Sequence, residues 1–192
     1  MTEQDNQDYE MFLDGDKKGF ENLVLRYKAP LIYFIERYVR NMDAAEDLAQ
    51  DVFVEILVHK NRYGKKSAFK TYLFSIGRNL AIDWIRKEKN MDFFGELSMV
   101  EERYMAEQRF NTAEFVNLED QVIKKEELRS LSYEVDQLKE EYREVILLVD
   151  FEEMTYKEAA KVLKKTLPQV KILLYRARKS LKTHLERSGY EK

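Results

Sequence analysis

An all-α fold, built as two small helical domains joined by a linker, is what this sequence predicts, and three observations lead there. Only 6 Gly and 2 Pro occur in 192 residues, whereas Leu, Glu, Lys and Arg are abundant, so the chain lacks the punctuation of a turn-rich β fold. Apolar residues recur at helical spacing in both halves and lose that period between them. The length suits two units, since a domain of about 80 residues can still bury a modest core.

The first helix is expected from about Lys18 through Tyr27, where Phe20, Leu23, Val24 and Tyr27 form an apolar stripe. Pro30 supplies no amide hydrogen and either interrupts this helix or starts another, in which Leu31, Phe34, Ile35 and Tyr38 continue the pattern. Asp43 is placed to cap the next helix, with Glu46 at the capping-box position. That helix turns Leu48, Val52 and Ile56 inward and leaves Asp47, Gln50, Asp51 and Glu55 outward. His59 to Lys66 reads HKNRYGKK, a mobile basic loop with one aromatic, Tyr63. It feeds the stretch Ser67 to Lys89. Wound as a helix, this places Phe69, Leu73, Ile76, Leu80 and Trp84 on one side and Thr71, Ser75, Arg78, Asn79 and Arg86 on the other.

Residues 10–90 are thus expected as one domain, 91–120 as a linker and 121–187 as a second domain. The linker is acidic and carries scattered aromatics, including Phe93, Phe94, Tyr104, Phe110 and Phe115, which need an apolar surface on this protein or a partner. Helical periodicity returns from about Gln121, where Val135, Leu138, Tyr142, Val145 and Val149 form a seam. Thr155 to Glu158 is a capping box opening a short helix through Leu163. Thr166 to Gln169 is a second one, opening a longer helix through about Arg187. Two helices joined by a three-residue turn, the second longer and basic, form a helix-turn-helix pattern. In the second helix Val170, Leu174, Ala177, Leu181 and Leu185 share one face, while Lys171, Tyr175, Arg176, Lys179 and Lys182 point away.

Charge is segregated. The net charge is −3, yet residues 59–90 hold 9 basic and 2 acidic side chains and residues 161–192 hold 10 and 2, two basic islands in an acidic protein. Basic islands with interleaved aromatics suit nucleic acid, because cations neutralise phosphate while a ring or an amide can hold an unstacked base. The acidic stripe Asp47, Gln50, Asp51 is either a solvated face or a docking surface for a basic partner. The absence of cysteine excludes disulfides, thiolate catalysis and cysteine-bound metals. The acidic N-terminus and short apolar runs give no membrane span, so a cytoplasmic protein with no direct membrane insertion is expected. With only His59 and His184 and no nucleophile–base spacing, no catalytic residue, metal, cofactor or small-molecule substrate is expected. A stand-alone helix-turn-helix regulator remains the competing reading, and it would need a ligand pocket or dimerisation element in residues 1–120. A membrane-surface helix at 167–187 is disfavoured by the capped companion helix before it.

The chain resembles a bacterial RNA polymerase sigma factor of the extracytoplasmic function (ECF) family. The resemblance rests on Ala45-Glu46-Asp47 with Gln50 and Phe53, on Ser67, Phe69, Tyr72-Leu73, Ile76, Arg78-Asn79, Asp83 and Arg86, on the run Thr155 to Ala160, and on Val170-Lys171 and Tyr175-Arg176-Ala177-Arg178 with Leu181. Tyr72 stands where the family most often has Trp, and the helix-turn-helix lacks its usual glycine. The resemblance implies a non-enzymatic initiation factor that binds core RNA polymerase through Asp47, Gln50 and Asp51. It implies that Tyr63, Lys70, Arg78, Asn79 and Arg86 contact the −10 element as single strands, with Tyr63 and Asn79 capturing a flipped base. Gln169, Lys171, Tyr175, Arg176, Lys179 and Lys182 would contact the duplex −35 element. Control by an anti-sigma factor, which could hold the protein at the membrane, is implied as well.

Overall fold

The computed structural model describes residues 3–65, 67–94, 131 and 133–188, with no side chains for 89–94. Of the expected linker, only the backbone of residues 91–94 falls among these.

The first lobe begins with a helix the periodicity did not announce, α1 (Glu3–Leu13). Its inner face is part acidic: Asp5 and Asp8 are buried beside Tyr9 and Phe12, so no apolar stripe marks it in the sequence. The carboxylates are tolerated because α2 (Lys17–Val39) supplies partners. Arg26 reaches Asp5 at 2.5 Å and Asp8 at 2.7 Å, Tyr27 donates to Asp5 at 2.7 Å, and Asn22 donates to Asp8 at 2.9 Å. Burial pushes the Asp8 carboxyl up, but the hydrogen bonds from Asn22 and Arg26 outweigh it and hold it below the ordinary carboxylate value. The two helices meet closely enough that a Cβ at Gly19 would lie 2.7 Å from the Phe12 backbone nitrogen. Gly15, at φ +94°, makes the turn between them.

Arg26→Ala should therefore cost about 3 kcal/mol in urea unfolding, because it strands two buried carboxylates. The sign of its pH dependence follows. In the native protein the depressed Asp8 adds stability above the ordinary carboxylate range, and this is lost as pH falls through the folded value. Without Arg26 the buried acids prefer their protons, so the difference between the two proteins should narrow on acidification. A gap that widens toward pH 4 would contradict this account.

Pro30 does not end a helix; it lies inside α2, which is continuous from Lys17. The proline forfeits one ladder hydrogen bond, but Leu23, Tyr27, Leu31, Phe34 and Ile35 on both sides of it are buried along one face and hold the segment straight through. Arg40 closes α2 in the left-handed region at φ 52°. The cap of α3 (Met42–Val58) is Asn41 rather than Asp43: its extended backbone lets the side chain accept from Ala44 N at 3.0 Å. A 3-10 turn at Lys60–Arg62 then leads to α4 (Phe69–Phe94). Gly77 of α4 sits where a Cβ would come within 2.9 Å of the Leu31 side chain, which lets α4 lie tightly on α2. Phe34, Ile56, Phe69, Leu73 and Phe74 complete this core.

In the second lobe the expected continuous seam is bent. Residues 133–136 are helical, the chain breaks at 137–139, and α5 (Glu140–Ile146) runs into a π-helical turn at Leu147–Phe151. Val135, Leu138, Val145, Ile146 and Leu148 are still buried together, whereas Tyr142 and Val149 are only half-buried. Both capping boxes form, opening α6 (Tyr156–Leu163) and α7 (Leu167–Arg187). The turn between them uses Lys164 at φ 54° in the usual place of glycine, closed by Lys165 N to Ala160 O at 3.0 Å. The fold is all-α across the described residues. The lobes touch: α4 packs against α6, so part of the α4 surface that α2 leaves free is covered by the second lobe.

Candidate nucleic-acid and partner interfaces

Asp47, Gln50 and Asp51 all lie exposed on α3, whose other side buries Ala45, Leu48, Ala49 and Val52. No ion pair engages Asp47 or Asp51 among the described residues. The same face continues into Val54, Leu57 and Val58, each at least half exposed. The docking candidate is therefore acidic at its start and apolar toward its end. The apolar part could have been found in the sequence, since these three residues lie off the buried stripe Leu48, Val52, Ile56.

The expected strand-capture residues divide into three environments. Tyr63 is buried, only 6% exposed, rather than presented by a mobile loop. Its hydroxyl donates to the Ser67 carbonyl at 2.6 Å. Its ring stacks with Tyr72 at 5.1 Å and meets Tyr9 edge-on at 4.8 Å. Burial raises its pKa to about 12. Helix α1 creates this environment, because Tyr9 covers the ring and donates to the Lys60 carbonyl at 2.5 Å, pinning the 59–62 turn. The segment expected as a mobile loop is thereby anchored by an element whose partner role the sequence did not reveal. Lys70 and Arg78 project from α4 toward the second lobe, where they pair with Glu152 and Glu144. Asn79 is half-buried, and Arg86 is exposed with a 3.4 Å contact to Asp83 one turn away. Thr71, expected on the outer side of α4, is buried at 2% exposure.

On α7 a shallow groove is lined by Lys171, Tyr175, Arg178, Lys179 and Lys182, with Tyr156 from α6 as its far wall. Tyr175 is 70% exposed. Positions 171, 175, 178 and 182 follow one helical stripe, so Arg178 belongs with the expected set although it was absent from it. Its guanidinium is fixed by Asp150, with Nε at 3.1 Å from Oδ2 and a second, shorter bond to Oδ1. That contact requires the π-turn to bring Asp150 to α7, which spacing alone does not foretell. Arg176 is exposed but lies about 140° around the helix from Lys171, outside the groove. Gln169 is exposed as well, yet its amide oxygen accepts from Thr166 N at 2.7 Å, so its cap role leaves only its N–H groups for a partner. A protruding helix that carries cations along one stripe and an exposed tyrosine, braced by a capped companion, can enter a major groove and hold flanking phosphates.

Two sequence profiles match the two lobes: Sigma-70 region 2 over residues 23–91 and Sigma-70, region 4 over residues 128–181, together more than half of the chain. The RNA polymerase sigma factor YlaC of Bacillus subtilis is 29% identical over 175 residues, covering 91% of this chain and 96% of that protein. The ECF RNA polymerase sigma factor SigW of the same organism is 29% identical over 171 residues, covering 89% and 91%. Among solved structures, the sigma factor RpoE in complex with the anti-sigma factor NepR from Bartonella quintana superimposes with a TM-score of 0.69 at 23% identity, over 88% of this chain and 98% of that one. CnrH in complex with the cytosolic domain of CnrY gives 0.66 at 22%, over 96% and 99%. The two-lobed helical architecture, the capped helix-turn-helix and both profiles agree: the chain belongs to the sigma-70 family of RNA polymerase sigma factors, in its extracytoplasmic function branch.

Proposed function

We propose that this sigma factor docks on core polymerase through the α3 face at Asp47, Gln50 and Asp51, reads the −35 element with α7, and melts the −10 element by capturing bases on the α4 side of the first lobe. The α7 groove carries this reading, because Lys171 and Lys179 line it with no ion pair among the described residues and Tyr175 stands exposed between them. On α7, Lys171, Tyr175 and Arg176 serve base edges, while Lys179, Lys182 and the braced Arg178 serve phosphate. On α4, Asn79 and Arg86 are accessible, and Lys70 and Arg78 become so when the lobes part. Tyr63 reaches a base only by leaving its aromatic cluster. Melting needs no energy source if single strands are bound better than duplex, since each captured base returns roughly 1–3 kcal/mol against unstacking. An anti-sigma factor that covers the docking and promoter faces would regulate the protein and could hold it at the membrane from the cytoplasmic side. No helix among the described residues is itself long and apolar enough to cross a membrane.

In vitro transcription with purified bacterial core polymerase and a promoter library tests this. Specific transcripts that depend on the added protein are the expected result. Tight duplex binding by the protein alone, with no specific transcript from any template, would establish a stand-alone regulator instead.

A further inference from the structure

Helix α1 reaches the basic segment 60–65 at both ends through two consecutive residues. Tyr9 is fully buried, yet its hydroxyl donates to the Lys60 carbonyl at 2.5 Å. The next residue, Glu10, turns outward and meets Lys65 Nζ at 2.5 Å. Between these two ties Asn61, Arg62 and Gly64 are exposed. Tyr63 alone is buried there, edge-on to the Tyr9 ring at 4.8 Å and held as well by Tyr72 and the Ser67 carbonyl. Lys65 lies at φ 54°, a left-handed conformation that a residue other than glycine keeps only where its surroundings hold it. Helix α1 is in turn fixed to α2 by Arg26, through Asp5 and Asp8. A buried phenol needs an acceptor, and phenylalanine would fill a purely apolar site as well. The acceptor here is the backbone of the basic segment, so the one polar atom of the Tyr9 side chain serves that segment. Burial pushes the Tyr9 pKa up to about 12, which keeps the hydroxyl protonated and donating near neutral pH.

We propose that Tyr9 is a positioning residue for strand capture: from α1 it holds the 60–65 segment in one shape, so that the segment meets a single strand already ordered. The proposal rests on the reading of Tyr63 and the α4 side of the first lobe as the strand-capture face. A segment that had to order at each encounter would give up part of its binding free energy to that ordering. It would also adapt to more than one base, whereas discrimination comes from a surface that fits one and opposes the others. The exposed Glu10–Lys65 pair contributes little by itself, as surface pairs do, so the buried hydroxyl of Tyr9 carries most of the effect. Tyr9 touches no strand, being fully buried, and acts through Lys60 and Tyr63.

The test uses the full chain, free and bound to core polymerase. Tyr9→Phe keeps the ring and removes only the hydroxyl. In the free chain, cleavage after Arg62 by an arginine-specific protease should quicken about fivefold, the factor that a hydrogen bond of ordinary net worth carries, while cleavage within α7 should not change. With polymerase, the readout is affinity for fork templates whose −10 strand is single, built from a promoter that the unmodified protein transcribes and differing from one another in one −10 base. The variant's preference for the best base over the other three should fall about fivefold, with binding to a −35 duplex unchanged. As a second arm, Glu10→Lys, outside the core, sets a like charge against Lys65 and should loosen the same segment from its other end. The added charge acts alike on all the templates, so discrimination still reports positioning. Unchanged cleavage after Arg62 in both variants, or faster cleavage with full base discrimination, would overturn the proposal. A Tyr9 that only stabilised the fold would give the second of these results, because the folded fraction would discriminate normally. The unmodified protein separates the two ideas. Its normal transcription, with full discrimination kept by Tyr9→Phe, sinks the positioning role alone, whereas no transcript and no base preference on any fork template sinks the strand-capture reading and the positioning role with it.

Discussion

Asp47→Lys combined with Asp51→Lys is expected to abolish binding to core polymerase, by at least about 100-fold, while leaving the fold intact. Both carboxylates are exposed and unpaired among the described residues, on a helix whose stability comes from its opposite, apolar side. Their replacement removes nothing the lobe uses, so unfolding should shift by no more than about 0.5 kcal/mol. Against a basic partner helix, each reversal converts an attraction into a repulsion. Losing one partner of a close interfacial charge pair already costs about 2–5 kcal/mol, which makes 100-fold a conservative figure for two reversals. Surface-immobilised core enzyme titrated with each protein gives the affinity, and urea unfolding gives the control. Unchanged polymerase affinity would remove α3 from the interface. Val54, Leu57 and Val58 extend the same face, so Val54→Asp should weaken binding too, by less.

The second large effect is a separation of tasks between the lobes. Asn79→Ala should leave binding to a −35 duplex untouched and impair melting of a duplex promoter, read by permanganate reactivity of the unpaired thymines. Arg176→Ala should lose discrimination at one −35 base pair, on the order of 1–3 kcal/mol for a good bidentate contact. Lys182→Ala should weaken all promoters alike and flatten the salt slope by about one ion. Neither α7 change should alter melting on a template whose −10 region is already open. Intact melting by Asn79→Ala, or lost activity of Arg176→Ala on a pre-opened bubble, would show that the lobes do not divide the work this way. Tyr63→Ala is a poor probe of base capture. Its ring belongs to the cluster of Tyr9, Phe69 and Tyr72, and emptying that site should cost about 3 kcal/mol or more of stability. Tyr63→Phe, which removes only the hydroxyl that donates to Ser67, is the informative change.

By itself the sequence determined whatever depends on local chemistry. Few glycines and prolines and two long runs of helical period were enough for an all-α fold in two lobes. Thr155 with Glu158, and Thr166 with Gln169, bond within one turn, so their spacing was enough to start α6 and α7 where they do start. The acidic stripe of α3 and the basic stripe of α7 were legible because a helix sorts its faces by residue number. Pro30 inside α2 and the cap at Asn41 instead of Asp43 depart from expectation only in which local option wins.

Only the tertiary structure decided the rest, because each remaining question concerns a partner distant in the chain. Helix α1 hides its role, since Asp5 and Asp8 are acceptable inside only once Arg26 arrives from α2. Tyr63 looked like a loop aromatic until Tyr9, 54 positions earlier, closed over it. Arg178 joined the α7 groove through Asp150, which the π-turn carries into place. Lys70 and Arg78 have the composition of a free nucleic-acid face, but whether they meet phosphate or carboxylate depends on where the second lobe sits. Helical period tells which side of α4 is apolar; it contains nothing about which body covers the other side, and that is settled by packing between segments more than 60 residues apart.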